Sequence, residues 1–127
     1  MLRSGILNPQ INSLISRVRH TNTLVIADRG FPFWPGIETV DIALVDDQPR
    51  VEDVLRALVE VFVVGKAWMA KEFPLHNEAA VVERYRQLVP SVHFEPHIEL
   101  KRRVPAAIGL IRTAGTAPYS NIVLESA

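Results

Sequence analysis

The chain has 127 residues, 48% of them hydrophobic, which is the size and composition of one globular domain spanning residues 1–127. Fourteen Lys and Arg residues balance fourteen Asp and Glu residues. Neither nucleic acid nor a membrane is therefore expected as a partner, because the chain has no excess of positive charge that would attract either of them. The absence of cysteine excludes disulfides, thiol catalysis and thiolate metal sites, and it agrees with a cytoplasmic location.

Hydrophobic periodicity divides the first half of the chain into two helices and two strands. Asn8 and Pro9 suit the cap and the first turn of the opening helix. The stretch "TLVIA" is short, β-branched and uniformly apolar, which is typical of a strand covered on both faces. The predicted elements are a helix carrying Ile11 to Val18, strands at 23–27 and 38–44, and a helix carrying Val51 to Phe62.

The second half of the chain continues this alternation. In "FVVGKAWMA", Gly65 indicates a bulge or a close approach within a strand. The predicted elements are a strand at 62–70, a helix after Asn77, a strand at 91–94, a short helix near 97–103, and final strands at 107–113 and 121–125. Strands separated by helices favour an α/β sheet with helices on its faces.

Two polar residues frame the first predicted strand: His20 precedes it and Asp28 follows it. Open α/β sheets bind ligands beyond the carboxyl ends of their strands, which places Asp28 at a candidate site. Simpler interpretations stand beside this one. An aspartate close to a glycine is a common turn former, and a histidine often caps the end of a helix.

An aromatic loop follows Asp28 and contains Phe31, Phe33 and Trp34. Exposed together, these side chains form an apolar patch that assembly with another subunit would cover. The alternative is that the loop folds back on the core of its own chain. We expect Trp34 and Trp68 to pack rather than to stack on a ligand.

The remaining candidates favour neutral hydrogen bonding over metal binding. His93 and His97 are four residues apart, but Pro96 separates them and no third ligand stands at a metal-motif spacing. We therefore expect no metal. The stretch "GTAPYSN", residues 115–121, is either a hairpin-like connection or a loop that offers neutral groups to a polyhydroxylated ligand.

Three stretches together resemble one family. The stretches "ISRVRHTNTLVIADRGFP", "VDIALVDDQPRVEDVL" and "APYSNIVL" are similar in order and spacing to the D-ribose pyranase and fucose mutarotase family. The resemblance covers almost the whole chain. It implies a single-domain mixed β-sheet with helices on both faces, a three-layer α/β fold. It also implies a cytoplasmic homo-oligomer, a ring-shaped decamer, with the sugar site near a subunit boundary.

The resemblance implies the site residues as well. It makes His20 the catalytic acid–base group. It assigns sugar binding to five residues: Asp28, His97, Tyr119, Ser120 and Asn121. Histidine at position 97 is similar to the ribose branch, because fucose mutarotases generally carry arginine there. The expected ligand is a monosaccharide, and the resemblance favours ribose over fucose. No cofactor is expected.

Opening of a sugar ring is chemistry that such residues can perform. Interconversion of pyranose and furanose forms passes through the open-chain aldehyde, so one proton leaves the anomeric hydroxyl while another reaches the ring oxygen. Histidine, with an ordinary pKa of about 6.5, can carry both protons. Asp28 either orients His20 or accepts hydrogen bonds from sugar hydroxyls. The alternatives are a mutarotase acting on fucose or another aldose, and a non-catalytic sugar-binding module accessory to a sugar transporter.

Overall fold

Strands and helices alternate along the chain in the computed structural model, which describes residues 1–127. The strands are β1 (Thr23–Ala27), β2 (Glu38–Asp41), β3 (Val64–Ala70), β4 (Val92–Glu95), β5 (Gly109–Arg112) and β6 (Ile122–Ser126). The helices are α1 (Pro9–Ser16), α2 (Val51–Val59), α3 (Glu72–His76), α4 (Ala79–Leu88) and α5 (His97–Arg103). A single 3-10 turn at Val104–Ala106 follows α5.

All six strands form one mixed sheet in the order β2-β5-β1-β6-β3-β4. Strand β6 runs antiparallel to its neighbours β1 and β3, whereas the other pairs are parallel. One edge of the sheet therefore carries the carboxyl ends of five strands and the amino end of β6. Because β1 lies between β5 and β6, the interpretation of residues 115–121 as a hairpin-like connection is wrong.

The sheet buries side chains on both of its faces. Along β1, Leu24 and Ile26 belong to the larger core, whereas Val25 and Ala27 belong to a smaller core on the opposite face. This alternation is the period-two pattern of a strand that is covered on both sides. The prediction of a strand buried on both faces is confirmed.

Helices cover each face of the sheet. The larger core receives side chains from α1, α2, α3 and α4, with Phe73 of α3 fully buried within it. The smaller core is closed by Leu100 of α5, Val104 of the 3-10 turn and Phe31 of the loop after β1. The single-domain, three-layer α/β fold with a mixed sheet is confirmed.

Two local predictions are also confirmed. Asn8 Oδ1 accepts a hydrogen bond from Ile11 N–H at 2.9 Å, and Pro9 occupies the first position of α1. At Gly65 the register of β3 against β6 shifts, and a Cβ atom there would lie 3.1 Å from Ala127 Cα. The bulge and the close approach both depend on the missing side chain.

Several predicted ends differ from the structure by one to three residues, and one helix was not predicted. Helix α2 ends at Val59 instead of Phe62, and β3 begins at Val64 instead of Phe62. Strand β2 ends at Asp41, so its predicted extension to residue 44 is wrong. Asp41 Oδ1 accepts a hydrogen bond from Ala43 N–H at 3.0 Å, and this local turn ends the strand. Helix α3 was not predicted, because five residues are too few to show a helical period.

The aromatic loop mostly folds back on its own chain. Phe31 is buried and Trp34 packs half-buried on the smaller core, whereas Phe33 is 71% exposed. Trp68 packs on the same core, with the Arg103 guanidinium 4.1 Å from its ring centroid. Of the three loop aromatics, Phe33 is the one that offers apolar surface to a neighbour.

None of the helices combines the length and the apolar character that crossing a bilayer requires.

Candidate active site

A reciprocal pair, Asp28 and Asn121, occupies the edge where β1 ends and β6 begins. Asp28 N–H donates to Asn121 Oδ1 at 2.7 Å, and Asn121 Nδ2 donates back to Asp28 Oδ2 at 3.2 Å. Gly30 N–H donates to Asp28 Oδ1 at 3.0 Å. The carboxylate and the amide are therefore held in fixed positions relative to each other, as a preorganised binding site requires.

The carboxyl group of Asp28 is half-buried, and this affects its acidity. Burial raises the pKa of Asp28 above its ordinary value, and the hydrogen bonds from Gly30 and Asn121 offset part of that effect. A carboxylate shielded from water forms stronger hydrogen bonds with a ligand hydroxyl, because less water competes for the same oxygens.

Arg112, the last residue of β5, holds the loop that carries Asp28. Its Nη1 donates to Asp28 O at 3.1 Å and to Arg29 O at 3.4 Å, and its Nη2 donates to Pro32 O at 3.1 Å. One guanidinium thereby fixes the path of the loop at three carbonyl groups. This role was not predicted from the sequence, although an arginine at the carboxyl end of an apolar strand is a signal that could have indicated it.

His97 begins α5 and lies beside this pair. Its ring packs edge-on against Tyr119, with 5.2 Å between ring centroids, and against Phe31 at 6.1 Å. Its Nδ1 atom is buried and has no hydrogen-bond partner in the chain. Buried polar atoms are normally paired, so this nitrogen is an exception among the polar atoms of the site.

Several groups shift the pKa of His97. Burial lowers it below the ordinary histidine value, and the positive charge of Lys101 lowers it further. The carboxylates of Glu72 and Asp28 act in the opposite direction without cancelling the decrease. Near neutral pH the imidazole is therefore mostly uncharged, with one nitrogen that donates and one that accepts.

Tyr119 adopts an unusual backbone conformation at the same edge. Its φ angle is +58°, in the left-handed region that non-glycine residues rarely occupy. Asn77 Nδ2 donates to Pro118 O at 2.9 Å and so fixes the loop just before Tyr119. Such strain is common where the surrounding structure holds a functional side chain in place.

His76 is a second histidine that contacts Tyr119. The two ring centroids are 5.2 Å apart and the rings are tilted by 35°. Tyr119 therefore contacts His76 as well as His97. The sequence analysis did not select His76, since a histidine ahead of Asn77 and a helix carries no signal beyond that of a helix end.

The side chain of Ser120 does not join this cluster. Ser120 is fully buried, next to the Tyr85 side chain of α4. Asn121, in contrast, presents its side chain to Asp28.

The structure does not bring His20 to the other five predicted residues. His20 is exposed in the turn before β1, at the opposite edge of the sheet from Asp28. Its neighbour Thr21 donates its N–H to Ser126 O, at the far end of β6 from Asn121. The five residues of β1 alone span about 17 Å. Within one chain, Asp28 therefore does not orient His20.

The known structures that this chain resembles share its whole architecture. A structure of Bacillus subtilis RbsD complexed with D-ribose matches with a TM-score of 0.93 and 29% sequence identity, covering 100% of this chain and 98% of that one. A fucose mutarotase from Streptococcus pneumoniae in complex with L-fucose matches with a TM-score of 0.83 and 14% identity, covering 99% and 98% of the two chains. At that identity the second match establishes the fold alone.

Sequence comparisons give the family. The model of the RbsD / FucU transport protein family matches residues 1–127. A D-ribose pyranase of Chromobacterium violaceum is 38% identical over 128 residues, covering 99% of this chain and 97% of the relative. A D-ribose pyranase of Cutibacterium acnes is 36% identical over 125 residues, covering 98% and 96%. The chain belongs to the RbsD / FucU family.

Proposed function

We propose that this chain is a D-ribose pyranase, a sugar isomerase that interconverts the pyranose and furanose forms of D-ribose without a cofactor. One observation carries the proposal. The Asp28–Asn121 pair lies beside His97 at one edge of a fold that matches ribose-complexed RbsD with a TM-score of 0.93. The names of the relatives from Chromobacterium violaceum and Cutibacterium acnes support the same reaction.

The side chains at this edge match the needs of a polyhydroxylated ligand. Asp28 accepts hydrogen bonds from sugar hydroxyls, and Asn121 both accepts and donates. The imidazole of His97, which is mostly uncharged near neutral pH, offers a further hydrogen-bonding group beside this pair. Tyr119 supplies an aromatic face and a hydroxyl from the loop before β6.

Proton transfer is assigned to His20. Ring opening requires a proton to leave the anomeric hydroxyl and another to reach the ring oxygen, and no redox step is involved. Positioned acid–base catalysis contributes about 10²- to 10⁴-fold, which is roughly 3–5 kcal/mol. Sugar mutarotation proceeds slowly in water without a catalyst, so a contribution of this size is sufficient.

The position of His20 requires a second copy of this chain. His20 is exposed at one edge of the sheet and the sugar-binding residues lie at the other, so a neighbouring subunit must supply the imidazole. A groove of about 550 Å³ between the loop after β1 and helix α5 is lined in part by Phe33, Trp34 and Ile98. Phe33 and Ile98 are 71% and 60% exposed, and apolar surface of this kind favours association. We propose that a second copy covers this groove in a decameric ring; the cytoplasmic location stays a prediction.

Saturation-transfer NMR of D-ribose tests the proposal. The protein is expected to accelerate exchange between the pyranose and furanose signals, and His20→Ala is expected to abolish the acceleration while the oligomer persists in light scattering. Clear ribose binding with no faster exchange would overturn the enzymatic assignment. It would favour a binding module accessory to a transporter, an alternative that the family description as a transport protein keeps open. The same measurement with L-fucose distinguishes a pyranase from a fucose mutarotase.

A further inference from the structure

Helix α3 reaches the site, although nothing in the proposed reaction assigns it a role. Glu72, its first residue, accepts the His97 N–H with both carboxylate oxygens, Oε1 at 3.2 Å and Oε2 at 3.1 Å. The helix is anchored behind this contact, because Phe73 is fully buried and packs against Tyr85 with ring centroids 4.8 Å apart. Glu72 is therefore held on a fixed support beside His97.

We propose that Glu72 is a positioning residue for His97: its carboxylate anchors the first turn of α5 and presents a negative charge to the imidazole. The proposal rests on the proposed function only in assigning His97 to sugar binding. Pro96 precedes α5 and provides no side-chain cap, so the acceptor for the first N–H comes from a residue 25 positions away. Loss of a helix cap loosens the first turn, which here carries the imidazole itself.

The charged groups around the imidazole come from three elements. Lys101 lies one turn further along α5 and, together with burial, lowers the pKa of the imidazole. Glu72 on α3 raises the pKa, and Asp28 after β1 raises it by less. The rings of Tyr119 and Phe31 pack edge-on and bring no charged group. Glu72 is thus the main group that opposes burial and Lys101.

Substitution by glutamine separates the two roles of Glu72. Glu72→Gln keeps an oxygen that can accept the His97 N–H but removes the negative charge. In imidazole titrations followed by NMR on the full chain without ligand, we expect the His97 midpoint to move to lower pH. A His97→Gln variant identifies the His97 resonance.

Two control variants define the result. Glu99→Gln removes a carboxylate from the same helix, where Glu99 pairs with Arg102 at 2.9 Å instead of acting on the imidazole. This variant is expected to leave the His97 midpoint unchanged. Lys101→Met removes a positive charge and is expected to move the midpoint to higher pH. An unmoved His97 midpoint in Glu72→Gln, while Lys101→Met responds, would overturn the electrostatic role.

Ribose exchange kinetics test the anchoring role. Glu72→Ala removes both the acceptor and the charge, and we expect kcat/KM to fall about 10- to 100-fold because the imidazole is displaced. The kcat/KM of Glu72→Gln is expected to lie between the values for the wild-type protein and for Glu72→Ala. Wild-type kcat/KM in Glu72→Ala would overturn this role. If the wild-type protein itself fails to accelerate ribose exchange, the proposed function fails, and the titration still decides whether Glu72 acts on His97.

Discussion

Mixing two inactive variants tests whether each sugar site is shared between two copies of the chain. His20→Ala removes the proposed proton carrier, and Asp28→Ala removes the proposed sugar-binding carboxylate at the opposite edge of the sheet. Five residues of β1, spanning about 17 Å, and part of the preceding turn separate the two side chains within one chain. No rotamer of either residue bridges that gap, so under the proposed function a complete site takes His20 from one copy and Asp28 from another.

The expected recovery follows from counting sites in a random mixture. In assemblies formed from equal amounts of the two variants, a site has an intact Asp28 in half of the cases and an intact neighbouring His20 in half of those. About one quarter of the sites are then complete, whatever the number of subunits. If one chain supplied both residues, no site in the mixture would be complete and no activity would return.

The assay compares ribose exchange rates after the variants are unfolded together and refolded, with mixed assemblies verified by native mass spectrometry. Each variant alone is expected to lose about 10²-fold or more of the catalysed rate, and the mixture is expected to reach about a quarter of the wild-type rate. The matched control mixes the wild-type protein with the double variant His20→Ala/Asp28→Ala. It retains about one quarter of the rate if sites are shared, and about one half if they are not. Verified mixed assemblies with no recovered activity would refute the shared site.

Two further predictions concern Arg112 and His97. Arg112→Met removes all three hydrogen bonds to the loop after β1, so KM for ribose is expected to rise about tenfold with a smaller change in kcat; an unchanged KM would show that the loop keeps its path without the guanidinium. Because the pKa of His97 is lower in the folded chain than its ordinary value, the unfolded chain takes up this proton first as pH falls. The free energy of unfolding is therefore expected to decline from about pH 6.5 downward, through the lowered pKa of His97. Urea titrations should show a shallower decline in His97→Gln, and an identical slope in both proteins would contradict the shift.

Much of the fold could be predicted because its signals are local. The apolar run of β1, the cap at Asn8 and the irregularity at Gly65 each depend on a few neighbouring residues. The order of the strands does not depend on neighbouring residues, because the insertion of β1 between β5 and β6 joins segments that are far apart in the chain. Helix α3 escaped prediction for a different reason, since its five residues are stabilised by the burial of Phe73 rather than by a repeating pattern.

Only those candidate-site residues that stand in recognisable sequence motifs could be selected from the sequence. Asp28 and Asn121 each stand in one of the quoted motifs, but their pairing at adjoining strand ends is visible only in the folded chain. Arg112 and Glu72 act on residues 84 and 25 positions away. Contacts of this kind leave no periodicity in a single sequence, because each is one side chain reaching across the fold.

The direction of β6 explains why the proposed site residues are divided between two edges of the sheet. It is the one strand whose amino end lies at the edge where the parallel strands end, so the loop before it brings Tyr119 and Asn121 beside Asp28. The same antiparallel pairing places the end of β6, with Ser126, beside the turn that holds His20. Both segments that carry the proposed sugar-binding residues therefore meet at one edge, and His20 is left at the other. If His20 is the proton carrier, as proposed, its imidazole comes from a neighbouring copy of the chain.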